Sequence, residues 1–305
     1  MDTLITEIVP LIDIHSLKET LQKRGCSMPI NSGAYGSVLK ACAQRSGTCS
    51  NICVALKTAA NENTEASKIK RDVLINESKM LYTIWSEAES QRDHETTEHV
   101  IRFFASVASA ENPWLVLEYI KSPTIASMIK ARKTLTSSIA GGLMLQTLFT
   151  IYNIRKLVPE FVHGDLNEGN IFILERPSNH KVCTFTLTTF TEDGDSVSDD
   201  VHFRGLHIVR ILDFGLSESK NQTFQNFPAG SNGLRNRWSI DALMAADAFR
   251  SVCRDTTDID AFFVSYFGPF ALAYFEDKTA DIYRMAPEMP SDMGPFLKAA
   301  IEYFL

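Results

Sequence analysis

His163-Gly164-Asp165-Leu166-Asn167-Glu168-Gly169-Asn170, followed by the apolar run Ile171-Phe172-Ile173-Leu174, is the stretch on which the reading of this chain turns. Polar residues on a tight loop between a buried helix and a strand are placed to face a binding cleft. Asp165 can orient or deprotonate a hydroxyl, and Asn170 offers an amide oxygen to a hard cation. Downstream, Ile211-Leu212-Asp213-Phe214-Gly215 is an apolar strand ending in a carboxylate and a glycine. Asp213 is thereby placed to hold Mg²⁺ bridging two phosphates. Any single one of these aspartates reads more readily as a loop cap; their order along the chain is what carries the argument.

Upstream lies Asn31-Ser32-Gly33-Ala34-Tyr35-Gly36-Ser37-Val38. Two glycines let backbone N–H groups approach phosphate oxygens without a Cβ in the way, although SGAYG alone is an ordinary turn. Val54-Ala55-Leu56-Lys57 follows as a strand, and Glu77 lies twenty positions later on an expected helix with Ile69, Val73, Ile75, Met80, Leu81 and Ile84 near helical spacing. Glu77 could pair with Lys57 and aim its ammonium at phosphates.

In this order the residues resemble the protein-kinase signature set: Gly-rich loop, strand Lys, helix Glu, catalytic-loop Asp and Asn, and D-F-G. The resemblance implies an α+β fold of two lobes, a small antiparallel β-sheet N-lobe with one helix and a larger, mainly helical C-lobe. It divides the chain into an extension over 1–24, an N-lobe over 25–117 and a C-lobe over 118–305, with a hinge at about 118–121 and an insertion at about 178–206. Trp114 to Ile120 looks like the kinase hinge, with Leu117 as gatekeeper. The family pattern then gives Ile30, Asn31, Ser32, Gly33, Ala34, Tyr35, Gly36, Ser37, Val38, Ala55, Lys57, Leu117, Glu118 and Ile120 to ATP. It makes Asp165, Lys57 and Glu77 catalytic and assigns Asn170 and Asp213 to Mg²⁺. The implied activity is transfer of the ATP γ-phosphoryl to a serine or threonine hydroxyl of a protein. The 42 residues between Asn170 and Asp213, with VCTFTL and GLHIVRILDFGLS, are similar to the atypical haspin-like branch.

Three positions depart from that pattern. Asn31 stands for the first loop glycine, and Gly164 for the arginine that binds a phosphorylated activation loop. Asn167 replaces the lysine usual in Ser/Thr kinases, so on electrostatics alone Asn167→Lys is expected to raise kcat. H-G-D-L with G-N is also similar to small-molecule phosphotransferases of the aminoglycoside-kinase type, and a non-catalytic pseudokinase scaffold is the other alternative. His163 reads as architectural, packed against Asp213 and Phe214; Asp241 reads as a buried carboxylate opening a helix at Trp238. His94 and His99 flank an acidic stretch and read as solvated.

The remaining features bound the class. The chain has 305 residues, 45% hydrophobic and 22% charged, with a net charge of −7, so no basic field suggests nucleic acid. Six cysteines are too few for a disulfide scaffold, and Cys42, Cys49 and Cys53 read as buried thiols. The N-terminus has no basic n-region, and AFFVSYFGPFALAYF is too short and too broken by Gly268-Pro269 to span a membrane. These traits imply an intracellular protein, cytoplasmic or nuclear, of open oligomeric state. The segment Glu192 to Asp200 is acidic and aperiodic and reads as a solvated hairpin tip or loop.

Overall fold

The computed structural model describes residues 27–33, 36–45, 48–59, 64–107, 113–176, 182–190, 193–222, 237–276 and 292–305. It divides into two compact units: Met1–Trp85 with Ile101–Lys121, and Ser86–Val100 with Ser122–Leu305. Residues 86–100 group with the second unit, and the first runs on to Lys121.

The first unit is an antiparallel sheet of β1 (Ser27–Gly33), β2 (Gly36–Arg45), β3 (Thr48–Thr58), β4 (Phe103–Val107) and β5 (Trp114–Glu118), in the order β1-β2-β3-β5-β4. Period-two alternation gives the sheet a dry face made by Leu39, Ala41, Val54, Leu56, Trp114 and Val116. A long helix, α1 (Glu65–Gln91), buries Val73, Met80, Leu81 and Ile84. Cys42 and Cys53 are direct partners in the β2–β3 register, and they form a disulfide with Cα atoms 4.0 Å apart. Reading these two as thiols was therefore wrong. Their separation of 11 residues in sequence hides a cross-strand pairing that only the hairpin register creates. Among the described residues no helix is long and apolar enough to cross a membrane.

The second unit is mainly helical: α2 (His94–His99), α3 (Ile125–Lys130), α4 (Ser137–Leu157), α5 (Trp238–Arg250), α6 (Thr257–Phe267), α7 (Pro269–Glu276) and α8 (Gly294–Phe304). Helix α4 is buried nearly all round from Ala140 to Ile154 and so forms the centre of the unit. Thr136 caps it, accepting from Ile139 N–H at 3.4 Å. Two short ladders complete the unit: β6 (Ile171–Glu175) with β9 (His207–Ile211), and β7 (Val182–Phe190) with β8 (Ser196–Arg204).

The β7–β8 hairpin lies within residues 178–206. Residues 193–200 are exposed, yet its base is part of the core. Phe185 and Phe203 pack on Phe149 of α4 with ring centroids 5.1 and 5.9 Å away. Tyr152 Oη donates to Thr188 O at 2.8 Å, and Glu95 accepts from Thr186 N–H at 3.1 Å and from Asn153 Nδ2 at 2.9 Å. His99, expected in solvent, is fully buried in this anchor. Its Nδ1 lies 2.9 Å from Val209 O and its Nε2 3.1 Å from Cys183 Sγ. The carbonyl can only accept, so the proton sits on Nδ1 and the thiol donates to Nε2. Burial lowers His99 to about 3 and raises Cys183 to about 12, so both are neutral. Glu98 brings a third ligand-type atom within 4.8 Å, but it is paired with Arg176 at 2.6 Å. A neutral hydrogen bond beside an ion-paired carboxylate explains this cluster as packing.

Candidate active site

In the first unit, Val38 lies directly opposite Lys57 across β2–β3, and Leu117 opposite Ala55 across β3–β5. Opposed residues share a sheet face, so Val38, Ala55, Lys57 and Leu117 line one side, away from the dry core. On that side Lys57 Nζ donates to Glu77 Oε2 of α1 at 2.7 Å, with both groups buried. A charge-assisted bond of this kind fixes where the ammonium points. Ser37 Oγ is 3.1 Å from Thr58 Oγ1, which ties β2 to the end of β3.

Gly33 pairs with Gly36, the ends of the two strands that flank residues 34 and 35. The register shifts between Pro29 and Asn31, so Ile30 lies at an irregularity, while Asn31 and Ser32 oppose Val38 and Ser37. Ala34, Tyr35 and the side chains of 30–33 and 36 are outside the described residues. At the end of β5, Glu118 N–H donates to Arg102 O at 2.9 Å. Ile120 follows β5 on the non-strand segment.

In the second unit, the loop joining α4 to β6 carries the other residues. Asn170 Nδ2 donates to Asp165 Oδ2 at 3.0 Å and to Asp165 O at 2.8 Å. Both partners are acceptors, so the nitrogen end of the amide faces Asp165 and Oδ1 is the end turned away. Ile171 pairs with Ile211, and Leu212 N–H donates to Asn170 O at 3.0 Å. Asn170 and Asp213 therefore stand at the same end of the β6–β9 ladder. An amide oxygen and a carboxylate there are the donor types a hard divalent cation takes, so these residues fit magnesium. Asp213 has φ 64 and ψ 68, a left-handed conformation that Asp tolerates better than most residues. It turns the chain from the strand into the 3₁₀ turn Phe214–Leu216.

Three further groups hold this loop. Asp241, fully buried at the start of α5, accepts His163 N–H at 2.7 Å and Gly164 N–H at 2.9 Å. Burial pushes its acid up to about 7, against the two N–H donors and Arg155, which favour the ionised form. His163 is architectural. Its Nε2 is 3.0 Å from Leu212 O, its Nδ1 accepts Asp165 N–H at 3.3 Å, and its ring sits 4.9 Å from that of Phe214. With both nitrogens engaged by backbone, it is no general base. Gly164 has φ 77, which accounts for glycine where the family has arginine. Ser217 was not anticipated: its Oγ donates to His163 O at 3.0 Å. A serine four residues past Asp213 carries no signal in sequence, because the contact exists only once the loop and the 3₁₀ turn are side by side.

Over 78 residues, or 26% of this chain, it is 32% identical to the serine/threonine-protein kinase PLK2 of Mus musculus and of Rattus norvegicus. That stretch is only 11% of each PLK2, so the match spans about a tenth of the length of these curated relatives. A crystallised kinase domain superposes with a TM-score of 0.45 at 15% identity, over 91% of this chain and 82% of that one. The pattern of the protein kinase domain matches residues 27–232, more than half of the sequence. With the Lys57–Glu77 pair in one unit and the Asp165, Asn170 and Asp213 loop ends in the other, the chain belongs to the protein kinase domain family.

Proposed function

We propose that this chain is an ATP-dependent serine/threonine protein kinase. The observation that carries the reading is the loop 163–170, in which Asp165 is held by neighbouring amides while Asn170 shares a ladder end with Asp213. In phosphoryl transfer the protein does little covalent chemistry; it positions the reactants and stabilises charge. Asp165 would orient the acceptor hydroxyl and take its proton as the oxygen bonds to the γ-phosphorus and the bond to ADP breaks. Lys57, aimed by Glu77, would hold the α- and β-phosphates. Val38, Ala55 and Leu117 would pack on the adenine, with backbone groups of Glu118 and Ile120 reading its edge. Asn170 and Asp213 would hold magnesium, which would supply charge neutralisation on the phosphates. The long segment between Asn170 and Asp213, folded as an anchored hairpin, supports a place in the atypical haspin-like branch.

The test is incubation of the purified chain with γ-labelled ATP, Mg²⁺ and a mixed panel of proteins and aminoglycoside-like small molecules. Label on protein serine or threonine is expected. Label only on small molecules would move the chain to the phosphotransferase alternative, and none on any acceptor would leave a nucleotide-binding or scaffold role.

A further inference from the structure

Asn167 stands where the family pattern supplies a cation, and its amide is engaged elsewhere. Nδ2 donates to Asp165 Oδ1 at 2.7 Å, and Oδ1 accepts Gly169 N–H at 2.8 Å. The orientation of the amide is set by its partners: a backbone N–H only donates and a carboxylate only accepts. Asn170 Nδ2 meets the other carboxylate oxygen at 3.0 Å. Each oxygen of Asp165 thus receives an N–H from within the same loop, and the plane of the carboxylate is fixed. The backbone supports the same turn, with Asn167 N–H on Asp165 O at 2.9 Å and Asn170 N–H on Asn167 O at 3.0 Å. A β-carbon on Gly169 would lie 3.0 Å from Asn167 Oδ1, so a glycine there leaves the amide its place. Lysine could not reproduce this, since an ammonium has no acceptor for the Gly169 N–H.

We propose that Asn167 is a positioning residue: its side-chain amide clamps the Asp165 carboxylate to the Gly169 backbone and holds the proton acceptor in its working orientation. The proposal rests on the reading of Asp165 as that acceptor. Two hydrogen bonds to one carboxylate restrict its rotation, and orientation of a reacting group is worth large factors in rate. The simple electrostatic expectation then reverses: Asn167→Lys breaks the clamp, and turnover falls.

Three variants of the full chain separate the two bonds. Asn167→Ala removes both. Asn167→Asp keeps the acceptor for Gly169 N–H but loses the donor to Asp165 and sets two carboxylates together. Asn167→Lys loses the acceptor and introduces the family's cation. The readouts are kcat, calorimetric ATP affinity and hydrogen exchange at the Gly169 amide. Asn167→Ala is expected to lower kcat about ten-fold or more, with ATP affinity within about two-fold and Gly169 exchange faster by about ten-fold or more. Asn167→Asp should lower kcat at least as far while Gly169 stays protected, and Asn167→Lys should lose turnover as Asn167→Ala does. A rise in kcat with Asn167→Lys, unchanged kcat with Asn167→Ala, or unchanged Gly169 exchange in that variant overturns the clamp. So does a joint collapse of folding, ATP affinity and turnover, which would make Asn167 a loop-stability residue only. If the parent chain transfers no phosphoryl group, the kinase reading fails separately. The clamp is then decided by Gly169 exchange together with the Asp165 carboxyl ¹³C signal, which should shift in Asn167→Ala and Asn167→Asp.

Discussion

Replacing Glu77 by Gln isolates the buried ion pair of the first unit. The two charges lie 2.7 Å apart, with Lys57 and Glu77 side chains only 10% and 1% exposed. At an effective dielectric of about 20 their attraction is roughly 6 kcal/mol, most of which offsets the desolvation of the two ions. Removing one charge leaves the other buried and uncompensated, and breaking such pairs costs about 3–5 kcal/mol. Gln keeps an acceptor for the ammonium, so the expected loss falls at or just below that range, about 2–3 kcal/mol. A double-mutant cycle with Lys57→Met gives the coupling directly. Chemical denaturation of the four proteins should show the double variant far less destabilised than the sum, with a coupling of about 1.5 kcal/mol or more. In turnover, Glu77→Gln should lower kcat/KM about ten-fold or more, because a neutral acceptor aims the ammonium less firmly. A coupling below about 0.5 kcal/mol would put the pair among solvated surface bridges and refute the argument from burial. Unchanged kcat/KM would remove Glu77 from the site.

Three other outcomes follow from the second unit. Asp241→Ala leaves the N–H groups of His163 and Gly164 without their carboxylate, at about 1–3 kcal/mol each, so Tm should fall by several degrees; a wild-type melt would refute the anchor. Asp165→Asn should cost about 10²–10⁴ in kcat while ATP affinity survives, whereas Asp213→Ala should abolish Mg²⁺-dependent nucleotide binding; calorimetry showing the reverse assignment would exchange their roles. His99, lowered from 6.5 to about 3 by burial, stays neutral in the fold while the unfolded chain takes up a proton. Its contribution is therefore complete above pH 6.5 and is lost as pH falls toward 3, at about 1.4 kcal/mol per pH unit. Denaturation midpoints measured across that range should show the slope in the parent and lack it in His99→Gln, and equal slopes would disprove the burial of this histidine.

Much of the candidate site is legible before any coordinates. Lys57, Glu77, Asp165, Asn170 and Asp213 are polar residues set against apolar runs, and their order along the chain is itself the signal. Helix α4 is equally legible, because its long run of mainly uncharged residues marks a helix buried nearly all round. The architectural role of His163 and the buried carboxylate of Asp241 also follow from their place beside the loop and at a helix start.

What the sequence by itself determined is therefore local: which segments are helix or strand, and which residues could do chemistry. Such properties depend on periodicity and on neighbours within a few positions. Only the tertiary structure decided which distant groups meet. The β2–β3 register made Cys42 and Cys53 partners, and the packing of β7 on α4 turned His99 from a solvated residue into a buried one. The turn of the 163–170 loop directed the Asn167 amide onto Asp165 rather than toward a phosphate. Register and side-chain direction depend on pairings between residues far apart in the chain, and a one-residue shift reverses the face that a strand presents.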